Sequence, residues 1–438
     1  MNRILLFGAG KSATSLISYL VAQAKSRDWQ LVVADNDPSL AGSKIGTDAG
    51  ERATAVAIQV EDEEAREALV RQASIVISLL PPALHFLVAR SCLKWKKDLL
   101  TASYLDEKIR ALEPAIKDAG LLFLCEMGLD PGIDHMSAMD LIHRIHREGG
   151  KIRSFRSHTG GLVAPESDDN PWHYKISWNP RNVVLAGSSG ATYKEHGRVV
   201  ALSYPDLFTR NEEVNIPGLG ALAWYPNRDS LSYIPVYGLG EADSFVRTTL
   251  RHPSYCRAWG ALVKAGLTND QLSVERPPQG LSFAGWSSSL SPFIDEGNRT
   301  ALQYLGLFDQ ARVPDQARTS ADILQYLLET RLAMRPDDKD MIVMLHEIGY
   351  ENGEDGPEAP RHKTRSRLIR SHLIVKGEDS LRTAMAKTVG LPLGIAATLM
   401  LEGRITLTGL HIPILPAIYE PVLKELAKQG IRFEEGAG

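Results

Sequence analysis

Three cysteines in 438 residues are too few to staple a fold, and Cys92, Cys125 and Cys256 form no CxxC pair, so neither a disulfide framework nor a zinc site is expected. An excess of charge of one sign is lacking as well. With 49 Lys and Arg against 53 Asp and Glu, the formal net charge of -4 gives no reason to expect nucleic acid or an anionic membrane as a partner. Long apolar runs are also scarce. The opening run Ile4 to Phe7 stops at Gly8, too soon for a secretory signal. Ala384 to Leu401, the most membrane-like stretch, is interrupted by Lys387, Gly390, Pro392 and Gly394 and is expected to form a helix pair in a soluble fold. A cytoplasmic protein of two or three domains fits these absences, with 44% hydrophobic and 23% charged residues.

What is present begins with a nucleotide-binding pattern. Ile4 to Phe7 form a short strand, Gly8, Ala9, Gly10, Lys11, Ser12 and Ala13 follow at once, and Ala13, Leu16, Ile17, Leu20, Val21 and Ala24 then recur with helical period. In such a strand, turn and helix, Gly8 allows the tight turn, Gly10 lets the backbone approach a pyrophosphate, and Ala13 still permits close packing of helix on strand. A second strand, Gln30 to Ala34, ends in Asp35, placed to hydrogen-bond the adenosine ribose and to repel a 2′-phosphate. NAD is therefore expected over NADP. Alternatively, Asp35 with Asn36, Asp37 and Pro38 only opens a turn.

Strand-like runs at Val56 to Val60, Ser74 to Leu80, Asp98 to Tyr104 and Leu121 to Cys125 alternate with helical segments, which predicts an α/β fold with a parallel, doubly wound Rossmann sheet. Ligands sit beyond the carboxyl ends of such strands, which puts Leu80 and Pro81, Ala102, Ser103 and Tyr104, and Gly128, Leu129 and Asp130 at one crevice. The corner Glu126 to His135 crowds three acids, two glycines, a proline and a histidine together. On a purely structural reading, Asp130 caps a helix, Pro131 takes its first position and Gly149 with Gly150 ends it.

That corner, Thr101 to Tyr104, Gly160 and Gly161 with Ala164 to Glu166, Asn170 and Pro171, Tyr174 to Trp178, Tyr225 to Ser230, Thr249 to Arg251 and Met385 to Pro392 together resemble the glutamate-forming saccharopine dehydrogenases over nearly the whole chain. The resemblance implies an NAD(P)-dependent oxidoreductase that cleaves saccharopine to L-glutamate and 2-aminoadipate 6-semialdehyde in lysine metabolism. It implies a Rossmann domain over 1–126, a second α/β domain over 127–245 and 340–438 for substrate and dimer contacts, and a helical insertion over 246–339. A polar run at 351–369 is expected to be an exposed loop. A homodimer is expected, and no metal.

The same resemblance implies site residues. Tyr104 and Asp130 match active-site positions, either as the acid-base group or as residues that position substrate. Ser103, Thr159, Gly160, Arg228, Thr249, Leu250 and Arg251 match substrate contacts, where arginines suit the three carboxylates of saccharopine. Gln59, Val60 and Asn179 join the glycine loop, Asp35, Asn36, Leu80, Pro81, Ala102, Ser103, Leu129 and Asp130 at the cofactor. The chain departs from its relatives at His158 and Thr159, where the usual pair is Tyr-Cys: a hydroxyl cannot become a thiolate. His158 is either a gained acid-base group or a surface residue. Two alternatives follow, a dehydrogenase for another carboxylated secondary amine such as carboxynorspermidine, and a non-catalytic NAD-binding sensor.

Overall fold

The structure, a computed structural model, describes residues 1–210, 212–278, 280–352 and 365–437. Its contacts divide into two units, Met1–His143 with Leu381–Arg432, and Arg144–Ser380 with the segment from Phe433 onward.

The first unit is built on β1 (Arg3–Phe7), β2 (Gln30–Asp35), β3 (Ala53–Ala57), β4 (Ile75–Ser78), β5 (Asp98–Thr101), β6 (Leu122–Leu124) and β16 (Gly409–His411). These pair in parallel in the order β16-β6-β5-β4-β1-β2-β3. The strands are apolar on both faces because helices cover both, and Phe7, Ala34, Val76, Leu99 and Phe123 share one buried cluster. Succession reverses between β1 and β4, so the crevice of a doubly wound sheet opens beside the end of β1.

Three expectations are corrected here. The strand expected at Val56 to Val60 lies earlier, at Ala53–Ala57, because Ile58 and Val60 are buried in a loop and mimic a strand's apolar pattern. The segment from Leu381 was assigned to the second domain, yet it returns to the first and adds β16. Its helix Ala384–Leu401 is a single helix rather than a pair, with Pro392 inside it. By length and composition that helix is apolar enough to cross a membrane, and 72% of its apolar window is buried in the fold. Its glycines explain its seat: a Cβ on Gly390 would lie 2.9 Å from Leu16 Cβ, and one on Gly394 would lie 2.7 Å from Tyr19 Cδ1, so the two helices touch backbone to side chain.

The second unit holds a mixed sheet. Its strands are β7 (Lys151–Val163), β8 (Ala191–Glu195), β9 (Arg198–Leu202), β10 (Glu213–Ile216), β11 (Gly220–Pro226), β12 (Arg228–Asp229), β13 (Ser244–Arg251), β14 (Asp340–Asn352), β15 (Arg365–Lys376) and β17 (Glu434–Ala437). The main path is β10-β11-β13-β7-β14-β15-β17, with β8 joining β13 to β9 and β12. Between β13 and β14 the chain forms helices, chiefly Pro253–Lys264 and Ser320–Arg331, which bury their own core around Trp172, Tyr255, Trp259, Leu324 and Leu328. Of the polar run expected as a loop over 351–369, both described ends are strand, since β14 reaches Asn352 and β15 begins at Arg365; residues 353–364 lie outside the described residues.

Candidate active site

In the first unit, the turn after β1 is dictated by close approach. Gly8 has φ 100° and a Cβ there would lie 2.5 Å from the Leu79 carbonyl oxygen, so only glycine fits. Gly10 differs. It is exposed, with nothing within 4 Å of an added Cβ, which leaves the space in front of the turn open to a pyrophosphate. Lys11, Ser12 and Ala13 form a 3-10 turn leading into the helix Thr14–Arg27, with Ala13 fully buried as close packing requires. This cradle fits a dinucleotide.

Asp35 ends β2, and its carboxylate is held by two loops: Oδ2 accepts from the Ala9 N–H of the glycine turn at 2.6 Å and Oδ1 from the Asp37 N–H of its own loop at 2.9 Å. Asn36 is exposed beside it, Gln59 and the buried Val60 follow β3, and Leu80 and Pro81 follow β4. All lie at the carboxyl edge of the sheet, where a dinucleotide is expected to bind.

Beyond β5 and β6 the expected reactive corner is assembled. The Tyr104 hydroxyl donates to Asp130 Oδ1 at 3.2 Å, so the two expected active-site residues do meet. Ala102 packs under Gly128, whose Cβ would lie 3.1 Å from that of Ala102, and Leu129 is buried. The second glycine, Gly132, has φ 147° and a Cβ there would collide with the Gly128 carbonyl oxygen at 2.1 Å. Crowding of backbone on backbone is thus what the two glycines serve. Helical structure begins at Ile133, not at Pro131, which follows a cis peptide bond; the Gly132 N–H is taken by Asp134 Oδ1 at 2.6 Å. Glu126 pins the corner, accepting from the Leu105 N–H at 3.0 Å and meeting His135 Nε2 at 2.7 Å, with both side chains buried.

Sequence reasoning missed His85. Its ring bridges two hydroxyls, Ser78 at the end of β4 (Nδ1 to Oγ, 2.8 Å) and Ser103 after β5 (Nε2 to Oγ, 2.7 Å). Burial lowers its pKa to about 4 against a small opposing pull from Asp106, so the ring is neutral near pH 7 and one nitrogen donates while the other accepts. Ser103, a predicted contact for cofactor and substrate, is therefore oriented from below. Nothing in the sequence around Pro81 and Pro82 marks this histidine, because its partners come from two other strands.

In the second unit, the registers of β7, β13 and β11 set Thr159 opposite Thr249 and Thr249 opposite Tyr225, on one face of the sheet. Gly160 is required by packing: a Cβ there would lie 2.7 Å from Leu250 Cβ and 2.8 Å from the Leu250 carbonyl oxygen. Arg251 ends β13 and is 4% exposed. Its guanidinium lies 5.2 Å from the ring centre of Tyr174 and 5.4 Å from that of Tyr255. Nη1 donates to the Leu250 carbonyl at 2.8 Å, while Nε is buried without a hydrogen-bond partner. Among the described residues no carboxylate forms an ion pair with this arginine, which remains charged at any physiological pH. Arg228 differs from it, being exposed on the two-residue β12 with φ 51°. Asn179 is an exposed N-cap, its side chain accepting from the Asn182 N–H at 3.2 Å.

His158 is neither a surface residue nor a free acid-base group. It is wholly buried, with Nδ1 2.7 Å from Thr248 Oγ1 and Nε2 3.3 Å from Glu347 Oε2. Burial lowers its pKa against the pull of Glu347. Burial also works against the charge of Glu347, but hydrogen bonds from His158 and Arg370 outweigh it and hold the carboxyl at about 2. Arg370, at 2.5 Å, supplies the positive charge.

A parallel sheet with a glycine cradle, joined in sequence to a second unit bearing a buried arginine, has the fold of a dinucleotide-binding protein. The family model described as saccharopine dehydrogenase NADP binding domain matches residues 4–124, and that described as saccharopine dehydrogenase C-terminal domain matches residues 128–431. The chain belongs to the saccharopine dehydrogenase family. It is 33% identical over 464 residues to the saccharopine dehydrogenase [NADP(+), L-glutamate-forming] of Saccharomyces cerevisiae, covering 99% of each chain. To the mitochondrial alpha-aminoadipic semialdehyde synthase of Bos taurus it is 37% identical over 397 residues, which is 85% of this chain and 42% of that protein, so the chain spans about two fifths of the synthase. A solved structure, the apo histidine-tagged saccharopine dehydrogenase (L-Glu forming) from Saccharomyces cerevisiae, superposes with a TM-score of 0.87 at 32% identity, covering all of both chains.

These matches overturn the expected preference for NAD. The nucleotide-binding half matches a family model described as NADP binding, and the relatives matched over 99% of their length are named as NADP(+) enzymes. Asp35 does not stand alone at the end of β2. Each of its oxygens accepts one loop N–H, and the amine of Lys44 lies near enough to feel its charge while donating to the Gly10 carbonyl at 2.5 Å.

Proposed function

We propose that the chain is an NADP-dependent saccharopine dehydrogenase of the glutamate-forming type, acting in lysine metabolism. The reversible reaction takes saccharopine, NADP+ and water to L-glutamate, 2-aminoadipate 6-semialdehyde, NADPH and a proton. The observation that carries this reading is Arg251, a buried guanidinium caged by phenol rings and paired with no acid among the described residues. A cation so placed is costly unless an anion completes it, and a planar fork suits a carboxylate. Saccharopine offers three. The names of the relatives that align end to end with this chain support the same substrate.

The residues of the chain divide the work. The cradle of Gly8, Ala9 and Gly10 with the following helix holds the pyrophosphate, and NADP supplies the hydride acceptor when bound. Asp130, hydrogen-bonded to Tyr104, takes a proton from the substrate amine, and the phenol holds that carboxylate in place. His85 fixes the Ser103 hydroxyl, which orients the bound molecules. Arg251 anchors one carboxylate, with the Thr159 and Thr249 hydroxyls on the same face of the sheet. The Thr159 hydroxyl can donate a hydrogen bond there, which is what an accepting carboxylate asks of it.

Initial rates of nicotinamide reduction with saccharopine and with carboxynorspermidine, each with NADP+ and NAD+, test this assignment. Saccharopine with NADP+ is expected to give the highest kcat/KM. Binding of NADP+ with no amine-dependent reduction would instead identify a sensor that has lost turnover.

A further inference from the structure

The geometry points to Lys44 as the residue that receives the 2′-phosphate of the dinucleotide and sets the preference between the two nicotinamide cofactors. The inference rests on the NADP reading above and deepens it. Lys44 lies in the helix Pro38–Ile45, the first helix after β2, whose N-cap is Asp37 and whose Ala41 is buried against the fold. Its side chain runs back across the loop, with Nζ donating to the carbonyl of Gly10, the glycine whose Cβ position is open. It therefore lies between the pyrophosphate cradle and the end of β2, where the adenosine ribose of a dinucleotide sits on a sheet of this order. The neighbouring acid is already engaged, since Asp35 accepts from Ala9 and Asp37. A phosphate entering here meets an ammonium held by a single carbonyl, and a carboxylate that accepts two loop N–H groups.

The amine is poised for an anion. Burial lowers its pKa to about 8, and the attraction of Asp35 only partly opposes that. A phosphate would stabilise the charged form, and the four-carbon stem lets the ammonium exchange the Gly10 carbonyl for a phosphate oxygen without moving the helix.

Titration of the full-length protein with NADP+ and with NAD+ tests this, using the wild type, Lys44→Gln and Lys44→Arg. Lys44→Gln is expected to weaken NADP+ binding by roughly 10- to 100-fold while NAD+ affinity changes by less than about 2-fold, the loss of one charge-assisted phosphate contact. Lys44→Arg should keep the NADP+ preference, which also controls for misfolding. Equal losses for both cofactors would mean that Lys44 only braces the loop, and an unchanged NADP+/NAD+ ratio would mean that it plays no part; either overturns the inference alone. A wild type that binds NAD+ more tightly overturns it together with the NADP reading.

Discussion

Acid should strip stability from the first unit through the His85 imidazole. In the folded protein, burial holds its pKa at about 4, whereas in the unfolded chain it returns to the ordinary value of 6.5. Between those values the unfolded chain binds a proton that the folded chain does not, so the contribution of His85 is whole above pH 6.5 and is lost as pH falls toward 4. The gap caps the loss at about 3 kcal/mol, of which about 2 kcal/mol is gone by pH 5. Urea titrations between pH 7.5 and pH 4.5 read this, with the thiol of Cys92, buried in the helix His85–Trp95, reporting the opening of the first unit through its access to a disulfide reagent. His85→Gln keeps a hydrogen-bonding side chain without a titrating group, so subtracting its pH dependence removes the contribution of every other acid and base. The wild type should lose about 2 kcal/mol more than the variant between pH 7.5 and pH 5. Parallel curves for the two proteins would refute the claim that a neutral His85 bridges Ser78 and Ser103.

The two glycines of the nucleotide turn should behave differently. Gly8→Ala places a methyl 2.5 Å from a backbone oxygen and should lower the melting temperature, whereas Gly10→Ala meets no protein atom and should fold normally while losing affinity for the dinucleotide, as thermal scans and cofactor titration would read. Gly160→Ala should destabilise the second unit by about 1–3 kcal/mol, the usual cost of overpacking, because its methyl would press on Leu250 beside Arg251; urea unfolding of that unit checks it. Arg251→Met, which keeps much of the side chain's length without the charge, should raise KM for saccharopine by about 100-fold or more while leaving the NADP+ dissociation constant unchanged, if a buried carboxylate pair is lost. An equal effect on both constants would point to general misfolding instead.

The first unit was legible because a buried parallel sheet writes itself as apolar runs separated by helical periods, and because the glycine turn has its own spacing. Six of its strands could be placed from the sequence, one of them offset. The strand Gly409–His411 was not legible: three residues paired to β6 from nearly 300 positions away leave no periodic signal. The helix Ala384–Leu401 was misread for a related reason, since its glycines and proline look like breakers until Leu16 and Tyr19 are seen to need the space. Within the site, Tyr104 and Asp130 were named from motif context and do meet. His85 and the phenols around Arg251 were invisible, because their significance lies in which strands and helices fold back upon them. Asp35 teaches the complementary lesson. Its position was read correctly, but where a carboxylate points is decided by which N–H groups the loop offers it, and no spacing rule encodes that.

The most direct test of the account is product analysis on the wild-type protein supplied with saccharopine and NADP+. For each NADPH formed, the account predicts one L-glutamate and one 2-aminoadipate 6-semialdehyde. Lysine and 2-oxoglutarate in their place, or no product while NADP+ remains bound, would contradict it.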